Sequence, residues 1–192
     1  MKLVLSTRNA HKAEEFEKLL APHEVAPLPD EVVLPPETGT TFAENALGKA
    51  RAAAQALGVT VIADDSGVES AALDGRPGVY SARFAGEDAT DQENLDKLLA
   101  EAPAGSALAY VCVIALVDPV AGTEEVFEGR CTGTLAAEPR GDGGFGYDPA
   151  FLPDDEIPAP AGRTMAELTP EEKGAISHRG RAAALLREHL GG

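Results

Sequence analysis

A well-delimited helix that is followed at once by an apolar strand sets the fold class of this chain. Thr41 and Glu44 have the T-x-x-E spacing of a capping box, and Gly58 is a residue type that commonly ends a helix. The β-branched residues of VTVIA, 59 to 63, follow immediately and favour a buried strand. The T-x-x-E pattern recurs at 90 to 93 and predicts a second capped helix. Helices that alternate with apolar strands predict an α/β chain.

The remaining elements follow the same alternation. Residues 2 to 6, KLVLS, predict a first strand, and 11 to 20 have the helical spacing of apolar residues. The stretches ALAYVCVIALVD and TEEVFEGRCTGTLA flank a turn at 119 to 122 and predict an antiparallel hairpin, which makes the sheet mixed. A last helix is predicted near 177 to 190. We therefore expect a mixed sheet flanked by helices.

Composition limits the number of domains and the classes of partner. The chain has 192 residues, of which 44% are hydrophobic, and this predicts one domain, 1 to 192. A formal net charge of -16 opposes binding to polymeric nucleic acid or to an anionic membrane. Cys112 and Cys131 have no metal or disulfide spacing and predict buried, reduced thiols. With no signal peptide and no apolar stretch of roughly 18 residues, the sequence predicts a soluble cytoplasmic protein.

Two adjacent carboxylates follow the predicted strand at 59 to 63. Asp64 and Asp65 are expected at its carboxyl end, the edge that faces the ligand crevice in open α/β sheets. A carboxylate left there must be hydrogen-bonded, paired or bound to a cation. The alternative is an ordinary turn, because Asp, Ser and Gly are common turn formers.

The segment STRNAHK, 6 to 12, joins the first strand to the first helix. Backbone N-H groups at such a helix start favour an anion, and Arg8, His11 and Lys12 add cations. The segment has neither P-loop nor dinucleotide-fold spacing. The alternative is a capped helix with solvated basic residues.

Three polar residues around the helix at 42 to 57 are further candidates. Asn45 and Lys49 are four residues apart and share a helical face, which is either a site or an exposed polar surface. Glu37 precedes this helix and is either a loop acid or a metal ligand.

The stretch GDGGFGYDP, 141 to 149, is rich in glycine. Such a backbone suits close approach to a ligand, and Phe145 and Tyr147 offer a flat face on which a base stacks. The alternative is a wide loop whose aromatic side chains fold back on the core. The proline- and acid-rich stretch 153 to 162 predicts another loop.

Basic residues are concentrated at 173 to 182. Ser177 has the features of an N-cap, so His178 and Arg179 fall in the first helical turn, where the helix dipole opposes cations. This predicts an anion or a carbonyl oxygen close to them.

Six stretches occur in an order that resembles the non-canonical purine nucleoside-triphosphate pyrophosphatases, the inosine triphosphatase family. They cover nearly the whole chain: STRNAHK, TFAENALGKA, IADDSG, GVYSARFAG, GGFGYDP and KGAISHRG. The resemblance implies an elongated mixed α/β sheet with two lobes around a central cleft. It also implies a homodimer that clears ITP, dITP and XTP from the nucleotide pool by hydrolysis to monophosphate and pyrophosphate, with Mg2+ as cofactor.

The resemblance also implies roles for individual residues. Glu37 and Asp65 would hold the metal, Asp65 would accept a proton, and Ser66 would contact the substrate. Asn45, Lys49 and Asp64 would complete the polar network. Phosphate contacts are implied for Thr7, Arg8, Asn9, Ala10, His11 and Lys12, and base contacts for Phe145, Gly146, Tyr147, Asp148, Lys173, His178 and Arg179.

Two positions depart from the family pattern. Arg8 stands where members commonly have Gly, and Asp142 stands where they commonly have Thr. The first affects the geometry of the phosphate loop, and the second that of the entrance to the base loop.

The chemistry expected from these residues is hydrolysis of a phosphate anhydride. A metal held by Glu37 and Asp65 polarises the phosphate chain, and Asp65 accepts the proton of the attacking water or positions that water. Lys173, His178 and Arg179 carry N-H groups that match O6 of hypoxanthine or xanthine and not the amino group of adenine. The alternatives are a non-catalytic nucleotide sensor and a septum-inhibitor type of pyrophosphatase that acts on modified pyrimidine nucleotides.

Overall fold

The computed structural model describes residues 1 to 155 and 161 to 191, so part of the predicted loop at 153 to 162 lies outside the described residues. Helices and strands alternate within these ranges, as the sequence predicts. The α-helices are α1 (Ala10–Leu19), α2 (Phe42–Leu57), α3 (Asp91–Glu101), α4 (Pro170–Ile176) and α5 (His178–His189). The strands are β1 (Lys2–Leu5), β2 (Glu24–Pro27), β3 (Val61–Ser70), β4 (Ala107–Asp118), β5 (Thr123–Leu135) and β6 (Phe151–Pro153).

The strands form a mixed sheet in the order β2-β1-β3-β4-β5-β6. Strand β1 pairs in parallel with both β2 and β3, whereas β5 and β6 are antiparallel. The neighbours β4 and β5 are joined by the turn at 119 to 122, in which the Gly122 N-H donates to the Asp118 carbonyl oxygen at 2.9 Å. The predicted hairpin and the predicted mixed sheet are thus confirmed.

The helix α2 begins and ends where its sequence signals lie. The Thr41 side chain accepts from the Glu44 N-H, the Glu44 side chain accepts from the Thr41 N-H, and Gly58 ends the helix with φ of 67°. Helix α3 has the same reciprocal bonds between Thr90 and Glu93. These bonds satisfy backbone N-H groups that a helix start otherwise leaves unpaired.

Strand β3 is longer than predicted. It begins at Val61 and continues to Ser70, so Asp64 and Asp65 lie inside the strand and form neither its end nor a turn. Ser66 and Gly67 are residue types common in turns, but here they lie within the strand. Glycine is required at position 67 because a Cβ there would collide with the Gly78 carbonyl oxygen and the Ser81 side chain. A glycine in a strand often marks such a close backbone approach.

Two compact units divide the chain. The first comprises Met1–Asp65, Cys112–Gly129 and Arg179–Gly192, and the second comprises Ser66–Val111 and Arg130–His178. Each unit has its own core. The first core contains Phe16, Ile62 and Leu186 among its fully buried residues, and the second contains Leu98, Phe151 and Met165.

The cysteines have the state that the sequence predicts, since Cys112 and Cys131 are both buried and neither forms a disulfide within the described residues. Burial raises the pKa of the Cys112 thiol, which keeps it neutral. Among the described residues, no helix has the length and apolar character needed to cross a membrane.

Candidate active site

Asp64 and Asp65 have different partners, as expected for neighbours on a strand, whose side chains point to opposite faces. Asp64 Oδ2 accepts a hydrogen bond from Lys12 Nζ at 2.8 Å. Asp65 Oδ2 accepts one from Asn45 Nδ2, also at 2.8 Å. Strand β3 thus presents one carboxylate to α1 and the other to α2.

Three cations surround the Asp64 residue, whose exposed fraction is only 1%. Besides Lys12, Arg179 Nε lies 3.9 Å from Asp64 Oδ2, and Lys49 Nζ donates to the Asp64 backbone oxygen at 2.6 Å. Burial alone raises the pKa of the Asp64 carboxyl, but these charges outweigh it and lower the pKa to about 2. Asp64 is therefore a permanent anion. Its Oδ1 is buried and accepts no hydrogen bond from a described residue.

Lys49 links α2 to the acidic residues. It is 8% exposed and Asn45 is 4% exposed, so this helical face is not the exposed polar surface that the sequence left open. Lys49 Nζ donates to Glu37 Oε1 at 2.5 Å as well as to the Asp64 backbone. Burial lowers the pKa of Lys49, but the charges of Asp64 and Glu37 outweigh burial and raise it. Lys49 stays charged at neutral pH.

Glu37 and Asp65 influence each other electrostatically. Burial raises the pKa of the Asp65 carboxyl; the hydrogen bond from Asn45 and the charge of Lys49 oppose this rise, and the charge of Glu37 adds to it. The two carboxylates are thus close enough to repel each other. A cation between them would remove that repulsion.

This pair of carboxylates fits Mg2+. Mg2+ prefers oxygen ligands and is usually held by one or two carboxylates, with water and substrate phosphates completing its shell. In residues 1 to 155 and 161 to 191, no group of three or more His, Cys, Asp or Glu residues is arranged as a complete metal cage. Glu37 and Asp65 supply two carboxylates of the kind that Mg2+ takes as ligands.

The loop before α1 is capped, and one of its cations is committed to Asp64. Asn9 is the N-cap, and its Oδ1 accepts from the Lys12 N-H at 3.1 Å, while Thr7 Oγ1 accepts from the Asn9 N-H at 3.2 Å. Arg8 instead donates to carbonyl oxygens of the segment 28 to 32. Ala10 and His11 are exposed in the first turn of α1. The capped helix is thus confirmed, and Lys12 is paired with Asp64 and not merely solvated.

In the second unit, Asp148 organises the glycine-rich loop. It is 3% exposed and accepts three hydrogen bonds: from Tyr110 Oη at 3.1 Å, from Lys173 Nζ at 2.7 Å and from the Phe145 N-H at 2.9 Å. Lys173 Nζ also lies 5.2 Å from the centre of the Phe145 ring. The Gly146 N-H donates to Asp91 Oδ2 at 3.0 Å, which ties the loop to the start of α3. Asp148 thus fixes the loop and Lys173 together.

The aromatic residues of this unit are arranged differently from the prediction. His178 stacks on Tyr110 with ring centres 4.6 Å apart, and Tyr110 stacks on Phe151 at 4.4 Å. Tyr147 is buried in the core, and its hydroxyl donates to the Ser81 carbonyl oxygen at 2.6 Å. The expectation that the Tyr147 ring offers a stacking face is wrong, because its ring folds back on the core. Phe145 remains the candidate for stacking.

Arg179 and His178 are adjacent in sequence but belong to different units. Arg179 Nη1 lies 3.1 Å from Glu15 Oε2, in addition to its approach to Asp64. The anion predicted next to this unfavourable helix start is therefore present as two carboxylates of the protein. The structure groups Arg179 with Lys12 and Asp64. Ser66, the residue after Asp65 in β3, is half-buried.

Three residues of these networks are not apparent in the sequence: Glu15, Asp91 and Tyr110. Glu15 is one of several acids on α1, and Asp91 reads as an ordinary first-turn acid of α3. Tyr110 lies within an apolar strand. Its polar hydroxyl among aliphatic neighbours is the sequence feature that indicates a hydrogen-bonding role. A buried Tyr hydroxyl usually has a hydrogen-bond partner.

The fold and this site define a mixed α/β protein in which two lysines and an arginine surround the buried Asp64, next to the Glu37 and Asp65 carboxylates. A family model described as the Ham1 family matches residues 3 to 189. The chain belongs to the Ham1 family.

Curated relatives match over nearly the full length. A protein of Geobacter sulfurreducens named dITP/XTP pyrophosphatase is 46% identical, with 99% of this chain and 96% of the relative covered. A Streptomyces coelicolor protein of the same name is 47% identical, with 99% of each covered. These relatives confirm the resemblance drawn from the six sequence stretches.

Solved structures confirm the fold. A HAM1 protein from Coxiella burnetii has a TM-score of 0.86 and 40% identity, covering 100% of this chain and 98% of that chain. The Staphylococcus aureus Ham1 protein has a TM-score of 0.84 and 40% identity, with the same coverage. Both neighbours have the open mixed sheet flanked by helices that the sequence predicts.

Proposed function

We propose that this protein is a Mg2+-dependent nucleoside-triphosphate pyrophosphatase that hydrolyses dITP, XTP and ITP to the monophosphate and pyrophosphate. The names of its full-length relatives support the reaction and the substrate class. The observation that carries the proposal is the array in the first unit, in which Lys49 joins Glu37 to the backbone of Asp64, next to Asp65. Such an array supplies what a triphosphate requires, namely positive charge and carboxylates for a divalent ion.

In this proposal, the first unit handles the triphosphate. Glu37 and Asp65 would hold Mg2+, which when bound neutralises phosphate charge and activates water. Lys12 and Lys49 provide fixed positive charge toward the phosphate oxygens, and Asp64 keeps both of them in place. Thr7 and Asn9 carry a hydroxyl and a side-chain amide at the start of α1, where the helix favours an anion.

Asp65 is the proposed proton acceptor. Its Oδ2 is oriented by Asn45, so the carboxylate is held in one position. Water oxygen attacks the α-phosphorus, the bond from that phosphorus to the bridging oxygen breaks, and pyrophosphate leaves. The proton released by the water passes to the Asp65 carboxylate.

The proposed base contacts come from the glycine-rich loop and from residues 173 to 178. Lys173 and His178 carry N-H groups that can donate to O6 of hypoxanthine or xanthine, and Phe145 offers a ring for stacking. Asp148 holds Lys173 in a fixed position through its 2.7 Å contact. Adenine has an amino group where these bases have O6, so a donor facing adenine loses its partner, at a cost of about 1 to 3 kcal/mol for a buried group.

The decisive experiment measures pyrophosphate and orthophosphate released from dITP, XTP and dATP, with Mg2+ and with EDTA. We expect pyrophosphate from dITP and XTP with Mg2+, and much slower release from dATP. Release of orthophosphate alone would refute the proposed reaction, and equal turnover of dATP would refute the proposed base contacts. Nucleotide binding with no product would favour the alternative of a nucleotide sensor.

The proposal also covers the oligomeric state of the protein and its cellular compartment. Family resemblance supports a homodimer, which light scattering of the purified protein would test. Two buried cysteines that form no disulfide in the described part of the chain support a reducing compartment such as the cytoplasm. The net charge of -16 supports small nucleotides, not polymeric nucleic acid or membranes, as partners.

A further inference from the structure

The side chain of Arg8 is bound to the backbone of a neighbouring segment. Its Nη1 donates to the Leu28 carbonyl oxygen at 3.1 Å, and its Nη2 donates to those of Pro29 at 2.9 Å and Val32 at 2.8 Å. A longer contact from Nη2 reaches the Asp30 carbonyl oxygen at 3.3 Å, and Nη1 lies 3.5 Å from the Asp30 carboxylate. The guanidinium is thus committed to the segment 28 to 32.

This segment opens the connection that carries Glu37. Residues 28 to 40 contain neither helix nor strand, so side chains must fix their course. Arg8 fixes the beginning of this connection. At its end, Asn45 Oδ1 accepts from the Gly39 N-H at 2.8 Å, and Glu44 Oε2 accepts from the Thr40 N-H at 2.7 Å. Glu37 lies between these two attachments.

We propose that Arg8 is a positioning residue for Glu37 and is not a ligand of the substrate phosphates. This rests on the proposed function, since it takes Glu37 as a metal ligand. A guanidinium has five N-H donors in a rigid fork, which suits several carbonyl oxygens at once. To reach a phosphate, Arg8 would have to release the segment 28 to 32, which begins the connection that carries Glu37.

The first experiment does not depend on catalytic activity. Amide hydrogen exchange is measured on the metal-free protein for wild type, Arg8→Gln, Arg8→Lys and Arg51→Gln. We expect faster exchange at residues 30 to 40 in both Arg8 variants, since Lys cannot replace the fork. Arg51 is a matched control, because it binds the exposed Glu124 at 2.6 and 2.8 Å on the surface of the same unit. Unchanged exchange in the Arg8 variants would overturn the proposal.

The second arm separates metal from substrate. Pyrophosphate release from dITP is measured against Mg2+ concentration and, at saturating Mg2+, against dITP concentration. Because support around a metal ligand tunes metal affinity, and release of the segment 28 to 32 loosens the connection that carries Glu37, we expect Arg8→Gln to need roughly tenfold more Mg2+. The KM for dITP at saturating Mg2+ should stay near the wild-type value.

The opposite split would overturn the proposal: a raised KM for dITP with an unchanged Mg2+ requirement identifies Arg8 as a phosphate ligand. Arg51→Gln should match wild type in both measurements. If wild type itself releases no pyrophosphate, the proposed function fails. The exchange arm then still decides whether Arg8 fixes the segment.

Discussion

The ammonium group of Lys49 lies 2.5 Å from the carboxylate of Glu37, and it joins the middle of α2 to the irregular connection before that helix. Lys49 is buried, whereas the Glu37 side chain retains an exposed fraction of 32%. A partly buried pair of this kind is screened less by water than a surface pair. The pair therefore couples the position of Glu37 to the helix.

A double-mutant cycle with Lys49→Met and Glu37→Gln tests this coupling. From unfolding in urea, we expect the two changes to be non-additive by about 1 to 3 kcal/mol, the range for residues in direct contact. The matched control is the exposed pair Arg51 and Glu124, for which we expect less than about 1 kcal/mol. Equal coupling energies for the two pairs would contradict the prediction.

Replacement of Asp65 by Asn separates chemistry from folding. Asn can still accept the hydrogen bond from Asn45 but cannot take a proton, so we expect the fold to persist and turnover to fall at least about 100-fold. Pyrophosphate release and thermal unfolding are the two measurements. Glu124→Gln, which removes an exposed acid of the same unit, should leave turnover unchanged. Substantial turnover by Asp65→Asn would exclude Asp65 as the proton acceptor.

The charge of Asp64 contributes to stability over a defined pH range. Its pKa is lowered from 3.8 to about 2 in the folded state, so the contribution is complete above about pH 4 and is lost as the pH falls through 2. This difference corresponds to about 2 kcal/mol. We expect Asp64→Asn to be less stable than wild type at pH 7. Between about pH 4 and 2, the free energy of unfolding should fall less for this variant than for wild type, because the variant has no carboxylate to protonate at this position.

Urea unfolding at several pH values measures the effect of Asp64. The control is Glu17→Gln, which removes an exposed acid of α1. Its unfolding free energy should follow the pH dependence of wild type in this range. Parallel curves for wild type and Asp64→Asn would contradict the assigned role of the surrounding cations.

The helix limits are predictable from the sequence because their signals are local. Each capping box needs only residues three apart, as in Thr41 with Glu44, and Gly58 ends α2 through its own backbone conformation. The end of β3 is not predictable in this way. Gly67 lies in a strand because the backbone of Gly78 and the side chain of Ser81 approach it, and the sequence does not show that approach.

The same distinction applies to the candidate site. Lys12 and Lys49 are candidates because one lies near a helix start and the other shares a helical face with Asn45, but both patterns also fit a solvated surface. Arg8 and Tyr147 match site patterns equally well, but their partners are remote backbone carbonyl groups. The sequence pattern alone therefore does not show whether a basic or aromatic side chain contacts a ligand or another part of the protein.

Tyr110 contacts two different residues, one through its hydroxyl and the other through its ring. The hydroxyl donates to Asp148, and the ring stacks against His178. Tyr110→Phe removes only the hydroxyl and should cost about 1 kcal/mol of stability with little change in base preference. Tyr110→Leu also removes the stacked ring, so His178 loses the surface that fixes its orientation.

We expect Tyr110→Leu to lower the preference for dITP over dATP, measured as the ratio of kcat/KM values, by roughly tenfold, equivalent to about 1.4 kcal/mol. Leu98→Ala is a control for core damage, because Leu98 is fully buried in the same core. It should lower stability and leave the preference unchanged. An equal loss of preference in Leu98→Ala and Tyr110→Leu would mean that Tyr110 acts only through core stability. A loss in Tyr110→Leu alone would assign the ring to base selection, because only that change removes the surface on which His178 stacks.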